Sequence, residues 1–207
     1  MHGIQGRSFE DGIKLTFLKM VRSVMAVKTA IYSDIKARNR PSFYATPVAW
    51  AAAHFIQLLI EDEGGIVAHH TGMIAASDEC SLSTIRELSR TAAQGTISPL
   101  RFAGANPSIV AGLPALQHGI RGPTLSLTMP PEHASSVILA MINYWIRYGN
   151  IVSVIAIAHY QQGEHRHLFK GLIARSASDE LRRQVLQLGD PQTGEIVCCD
   201  YDSLCQN

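Results

Sequence analysis

A chain of 207 residues with 46% apolar side chains and a formal charge of +1 can bury one sizeable core, and it shows no basic stripe for nucleic acid. Its longest apolar run, residues 46–60, is broken by His54 and Gln57 and falls short of the roughly 20 residues a spanning helix needs. The N-terminus carries Glu10 and Asp11 and fits no signal peptide, so the expectation is one cytoplasmic domain over residues 1–207, with 1–12 flexible. Cys80, Cys198, Cys199 and Cys205 lack paired metal-ligand spacing and read as reduced thiols.

In chain order, residues 12–19 (GIKLTFLK) alternate as a strand does. Thr46 followed by Pro47 predicts a capped helix over 44–61, stopped by Gly64 and Gly65. Residues 66–74 (IVAHHTGMI) read as a strand and 81–93 as an amphipathic helix capped by Ser81. Asn106 and Pro107 repeat the cap-plus-proline signature, so 107–118 should be helical, with Pro114 inside and Gly119 in the left-handed position after it.

Residues 123–128 then read as a strand, 133–148 as a helix stopped by Gly149, and 151–158 (IVSVIAIA) as a strand buried on both faces. The pattern loosens through 161–167, after which 168–174 predicts a strand, 178–188 a helix stopped by Gly189, and 195–200 a last strand. Strands alternating with helices give an α/β class, with a mixed sheet layered between helices.

Residues 98–128, SPLRFAGANPSIVAGLPALQHGIRGPTLSLT, resemble the N-terminal half of β-ketoacyl synthases, which have the thiolase fold. The resemblance rests on an Asn-capped helix leading through a turn carrying Gly119, Gly122 and Pro123 into a strand. It continues into NIVSVIAIAHY (150–160) and, more weakly, back through TPVAWAAAHFIQLLI and GGIVAHHTGMI, covering residues 40–175. In those synthases the strand ends in Thr-Ala-Cys, the cysteine lying at a helix N-terminus whose free N–H groups and dipole activate a thiol. Here Thr128 matches the threonine, Met129 the alanine and Pro130 the nucleophilic cysteine.

A proline removes both the thiolate and a backbone donor, and Glu132 adds negative charge where an oxyanion would form. The family's catalytic histidines belong to a second half for which this length leaves no room; His133, His159, His165 and His167 match none of them, so no catalytic residue carries over. The resemblance implies a non-catalytic chain length factor, similar to those of aryl polyene synthases. Such a factor forms a heterodimer with a full-length ketosynthase and bounds the tunnel that limits acyl chain length. It implies no bound cofactor, since the acyl group rides on the phosphopantetheine of an acyl carrier protein that the factor meets only indirectly.

The matching segments place Leu100, Phe102, Met129 and Met73 beside the tunnel, with ordinary core packing as the alternative for each. Thr124, Leu125, Ser126, Leu127 and Thr128 are expected at the dimer interface. Asn106 is read as a helix cap or as an interface hydrogen-bonder, and Arg121 as solvent-exposed or as a contact to the partner or to a carrier protein's phosphopantetheine. His69 and His70, adjacent on a predicted strand, point to opposite faces. An independent small thiolase-like acyltransferase remains open, as does a metal-dependent hydrolase on Glu164, His165 and His167, with Cys198 as a further possible ligand.

Overall fold

Thr46 opens the first long helix as its sequence predicts: the Thr46 hydroxyl accepts the Ala49 N–H at 3.2 Å, and Pro47 occupies the first turn, where its missing donor costs nothing. The computed structural model describes residues 26–35, 45–96, 98–163, 165–193 and 196–198; the strand expected at 12–19 lies outside them. The described helices are α1 (Pro47–Asp62), α2 (Leu82–Ala93), α3 (Pro99–Ala103), α4 (Ile109–Gln117), α5 (Pro131–Tyr148) and α6 (Asp179–Leu188). The strands are β1 (Lys28–Ser33), β2 (Thr71–Ala76), β3 (Thr124–Leu127), β4 (Ser153–Gln161), β5 (Arg166–Ala174) and β6 (Ile196–Cys198). Among the described residues no helix is long and apolar enough to cross a membrane.

The strands form one six-stranded mixed sheet in the order β3-β2-β4-β5-β1-β6. β2 is parallel to both β3 and β4, β6 is parallel to β1, and β5 runs antiparallel to its neighbours β4 and β1. Alternation along the central strands divides the core in two. Met73, Ala75, Ile155, Ile157, Phe169 and Ile173 face α1 and α4, while Ile74, Ala76, Val154, Ala156, Leu168 and Leu172 face α5 and α6. α1 is buried nearly all round, with Val48, Trp50, Phe55, Ile56 and Leu59 inside, as expected of a central helix. It lies so close to the sheet that a Cβ on Gly171 of β5 would come within 2.7 Å of both Leu59 Cδ1 and Phe55 Cε1.

Several expectations are corrected. The strand predicted over 66–74 starts only at Thr71, because the His70 N–H and the Thr71 hydroxyl both donate to the Val67 carbonyl at 2.9 Å and close a 3₁₀ turn over Ala68–His70. His69 and His70 are therefore exposed on that turn and not on a strand. Ser81 stands at the start of α2 without capping it; its hydroxyl donates to the Ala105 carbonyl at 2.5 Å. The polar 161–167 stretch is the tip of an antiparallel hairpin joining β4 and β5, closed by Gln162 N–H donating to the Arg166 carbonyl at 2.7 Å.

The C-terminal end of α6 is held by side chains the sequence did not single out. Lys170, buried on β5, donates from Nζ to the carbonyls of Gln187 at 2.7 Å and Asp190 at 2.5 Å and to Thr193 Oγ1 at 2.8 Å. The Tyr160 hydroxyl donates to the Leu188 carbonyl at 2.9 Å. Carbonyls with no partner in their own helix are thereby satisfied. Burial lowers the pKa of Lys170, partly opposed by the Asp190 carboxylate, and raises that of Tyr160.

Candidate functional site

The turn from β3 into α5 is built by close backbone approach. Gly119 adopts the left-handed conformation with φ +64. The N–H groups of Arg121 and Gly122 then donate to the carbonyls of Ala68 at 3.0 Å and Thr71 at 3.1 Å. Position 122 admits only glycine, since a Cβ would lie 2.3 Å from the Thr71 oxygen. β3 lies along β2 with Thr124 opposite Met73 and Leu127 opposite Ala76, and the Ser77 N–H donates to the Leu127 carbonyl at 3.0 Å at the far end.

Thr128, Met129 and Pro130 lead into α5, where Pro131 takes the first turn. Pro130 adopts φ −52 and ψ 130 and provides no side-chain cap; its carbonyl accepts the His133 N–H at 3.0 Å. Two consecutive prolines withhold two N–H donors from the helix start, and the Glu132 carboxylate lies in the same turn. Neither proline offers a thiol or an N–H at the helix entrance, the two groups that a cysteine at position 130 would supply.

β3 is the sheet's edge among the described residues, and its flank is apolar. Leu125, Leu127 and Met129 are half-buried against the α5/α6 core layer, while Thr124 and Thr128 are exposed. Helix α5 contacts β2 and β4, and α6 packs beside it over β5, so the other flank of α5 looks toward the β3 edge. Val137, Met141, Tyr144 and Tyr148 follow one another at spacings of four, three and four, which places them on one stripe. The opposite flank carries Leu139 and Asn143, which border the groove toward α6. Tyr144 is 59% and Tyr148 75% exposed, their rings 5.6 Å apart. The helical period of α5 was legible in the sequence, but this stripe was missed because nothing local says which apolar flank lacks a neighbour.

The structure separates the residues expected beside a tunnel. Met73 is fully buried in the layer under α1 and α4, and Met129 borders the opposite layer, so the two do not line one channel. Phe102, 70% exposed, borders a groove of about 240 Å³ with Ile85, Leu88, Ser89, Ala92 and Ala105. The Leu100 side chain lies outside the described residues. Asn106 Oδ1 accepts from the Ser108 N–H at 3.0 Å and hydroxyl at 2.9 Å, an Asx turn that leads into α4, whose first residue is Ile109 and not Pro107. Arg121 is exposed.

The histidines expected to converge do not. His165 is exposed with Nδ1 3.5 Å from Asp34 Oδ1, whereas His167 is buried; Glu164 and the Cys198 side chain lie outside the described residues. Among the described residues no group of three His, Cys, Asp or Glu side chains is placed to hold a metal ion. His167 instead meets His159. Ser77 Oγ lies 2.8 Å from His159 Nδ1, and His159 Nε2 lies 3.0 Å from His167 Nδ1 with the rings stacked. His159 is fully buried, which lowers its pKa to about 3, with His167 adding to the effect; burial also lowers that of His167. Residues from three separate segments make this chain, and no local sequence pattern marks it.

No protein-family model matches the chain, and no curated protein matches it by sequence. Solved structures do. The ishigamide ketosynthase/chain length factor superposes with a TM-score of 0.52 at 15% identity, over 71% of this chain and 49% of that one. The ketosynthase ApeO in complex with its chain length factor ApeC, from Xenorhabdus doucetiae, gives a TM-score of 0.48 at 10% identity, over 72% and 77% of the respective chains. This chain thus spans about half the length of the first of these. The fold is the α/β, thiolase-like arrangement that the sequence led us to expect, a mixed sheet layered between helices.

Proposed function

We propose that this protein is a non-catalytic chain length factor that pairs with a β-ketoacyl synthase and bounds the tunnel into which the partner's acyl product grows. The observation that carries the reading is the β3–α5 turn: a thiolase-like strand enters its helix through Pro130 and Pro131, where an acyl-transferring relative needs a thiol and free N–H groups. The neighbouring surface supports it. An edge strand followed by a helix flank of Val137, Met141, Tyr144 and Tyr148 offers the aromatic-rich apolar patch that stable interfaces use.

In this reading the partner seats along Thr124–Thr128 and the α5 stripe, with Asn106 and Arg121 at the margin. The carrier protein's phosphopantetheine delivers the acyl group to the partner, and this chain needs no cofactor of its own. Phe102, on an apolar groove, is the strongest of the four tunnel residues; Met73, packed in the core, is the weakest.

The test is acyl loading. Incubated with an activated acyl thioester, this chain is expected to keep its unmodified mass while a co-purified ketosynthase gains the acyl adduct; an adduct on this chain overturns the reading. Phe102→Ala in the reconstituted pair is expected to lengthen the products, and an unchanged length removes the tunnel role from Phe102.

A further inference from the structure

The Ser77–His159–His167 chain has no part in the proposed function, yet it is among the most completely enclosed polar features described. Ser77 is 1%, His159 0% and His167 7% exposed. Ser77 Oγ also accepts the Cys80 N–H at 2.9 Å, the Cys80 thiol donates to the Ser77 carbonyl at 3.1 Å, and the Ser77 N–H is the donor that ties the end of β3 through Leu127. One residue thus links the edge strand, through its backbone N–H, to an imidazole pair in the sheet's interior, through its hydroxyl.

The geometry limits how many protons the chain can hold. Both ring nitrogens of His159 are engaged, and a single N–H lies between the rings. Were both imidazoles protonated, N–H would face N–H across 3.0 Å, and two cations would be stacked in a buried site.

Facing the pair, Phe169 of β5 lies 4.7 Å from the His159 ring and stacks edge-on with Tyr32 of β1, whose hydroxyl pairs with His54 of α1. α4, on the same side of the sheet, carries no titratable residue between Ile109 and Gln117. The loop holding Ser77 adds Asp78, Glu79 and the Cys80 thiol, and the hairpin adds His165 beside Asp34. Among the described residues no carboxylate pairs with either imidazole.

We infer that this chain is an acid-sensitive latch, which keeps the C-terminal end of β3 seated while both imidazoles are neutral and releases it when they take up protons. The inference concerns this chain alone and stands whether or not a ketosynthase partners it. Opening exposes groups with an ordinary histidine pKa near 6.5. From pH 7 to pH 5 the opening equilibrium should therefore rise about 25-fold if one imidazole takes up a proton and about 600-fold if both do.

The experiment is amide hydrogen exchange on the full-length chain, free or in its co-purified complex, corrected for the intrinsic pH dependence of exchange. Protection at Ser77 and along β3 is expected to fall by one of those factors between pH 7 and 5 while α1 and the centre of β4 keep theirs. The His159→Gln/His167→Gln variant, which retains donors and acceptors but not the titration, should flatten the profile. Wild-type protection that ignores pH, or that falls equally at every amide, overturns the latch, as does an unchanged pH profile in the variant. Should the variant fail to fold, imidazole ¹⁵N shifts of the wild type decide: neutral rings while β3 is protected support the latch, and ordinary titration of both rings with β3 still protected overturns it.

Discussion

The β4–β5 centre of the sheet and the β3–α5 edge differ in how far each satisfies itself. In the centre, β4 and β5 are buried on both faces, Lys170 spends its three donors on three acceptors, and Gly171 leaves just enough room for Leu59 and Phe55. At the edge, a four-residue strand has one neighbour among the described residues, the following helix is entered through two prolines, and two tyrosines project into solvent. The edge makes sense as a surface meant to be covered, which is why substitutions in the two regions should fail in different assays.

The largest expected effect lies in the centre. Lys170→Met removes three charge-assisted hydrogen bonds, to the Gln187 and Asp190 carbonyls and to Thr193 Oγ1, and should cost about 3 kcal/mol; chemical denaturation that finds less than about 1 kcal/mol removes Lys170 from that role. Acid acts through His159. Its folded pKa of about 3 lies below the unfolded value, so the stability it contributes is complete above about pH 6.5 and is lost at up to about 1.4 kcal/mol per pH unit as the pH falls from there toward 3. Denaturation midpoints between pH 7 and 5 measure that slope, and His159→Gln should reduce it.

Gly171→Ala drives a methyl group against Leu59 and Phe55 and should cost about 1–3 kcal/mol by overpacking, read from thermal unfolding. At the edge the expectation inverts. Tyr144→Glu should change the chain's own stability by no more than about 0.5 kcal/mol while weakening partner binding at least about tenfold, measured by co-purification yield and titration. The smallest effect belongs to the exposed Arg101–Glu87 pair, 2.5 Å apart, where Glu87→Gln should alter stability by under about 1 kcal/mol.

The same contrast explains what the sequence made legible. Elements announced by local chemistry were placed well: Thr46 with Pro47 for α1, Ser178, whose hydroxyl accepts the Leu181 N–H at 3.2 Å, for α6, and the unbroken apolar run for β4. β1 was not anticipated, because the strand pairing it completes joins Lys28–Ser33 to residues near the other end of the chain. The β4–β5 hairpin tip was read as loose because it is polar, although its register is set by the strands behind it. Lys170 and His167 gave no hint of burial, since in sequence a lysine and a histidine look alike whether solvated or enclosed.

For the candidate site, the β3 turn and its prolines were visible at once, as a departure from a known pattern. What could not be read was arrangement across segments: Met73 and Met129 fall in opposite layers because alternate strand positions face opposite ways, and the Tyr144 and Tyr148 stripe faces outward only because α6 occupies the other flank. Tertiary placement decides both.

The central claim is that the β3–α5 edge is the seat of a catalytic partner and not part of a catalyst. Native mass measurement of the full chain co-expressed with a full-length ketosynthase tests it most directly. The account predicts a stoichiometric heteromeric complex that Tyr144→Glu disperses. A monodisperse monomer of this chain, stable on its own and indifferent to the synthase, would contradict it.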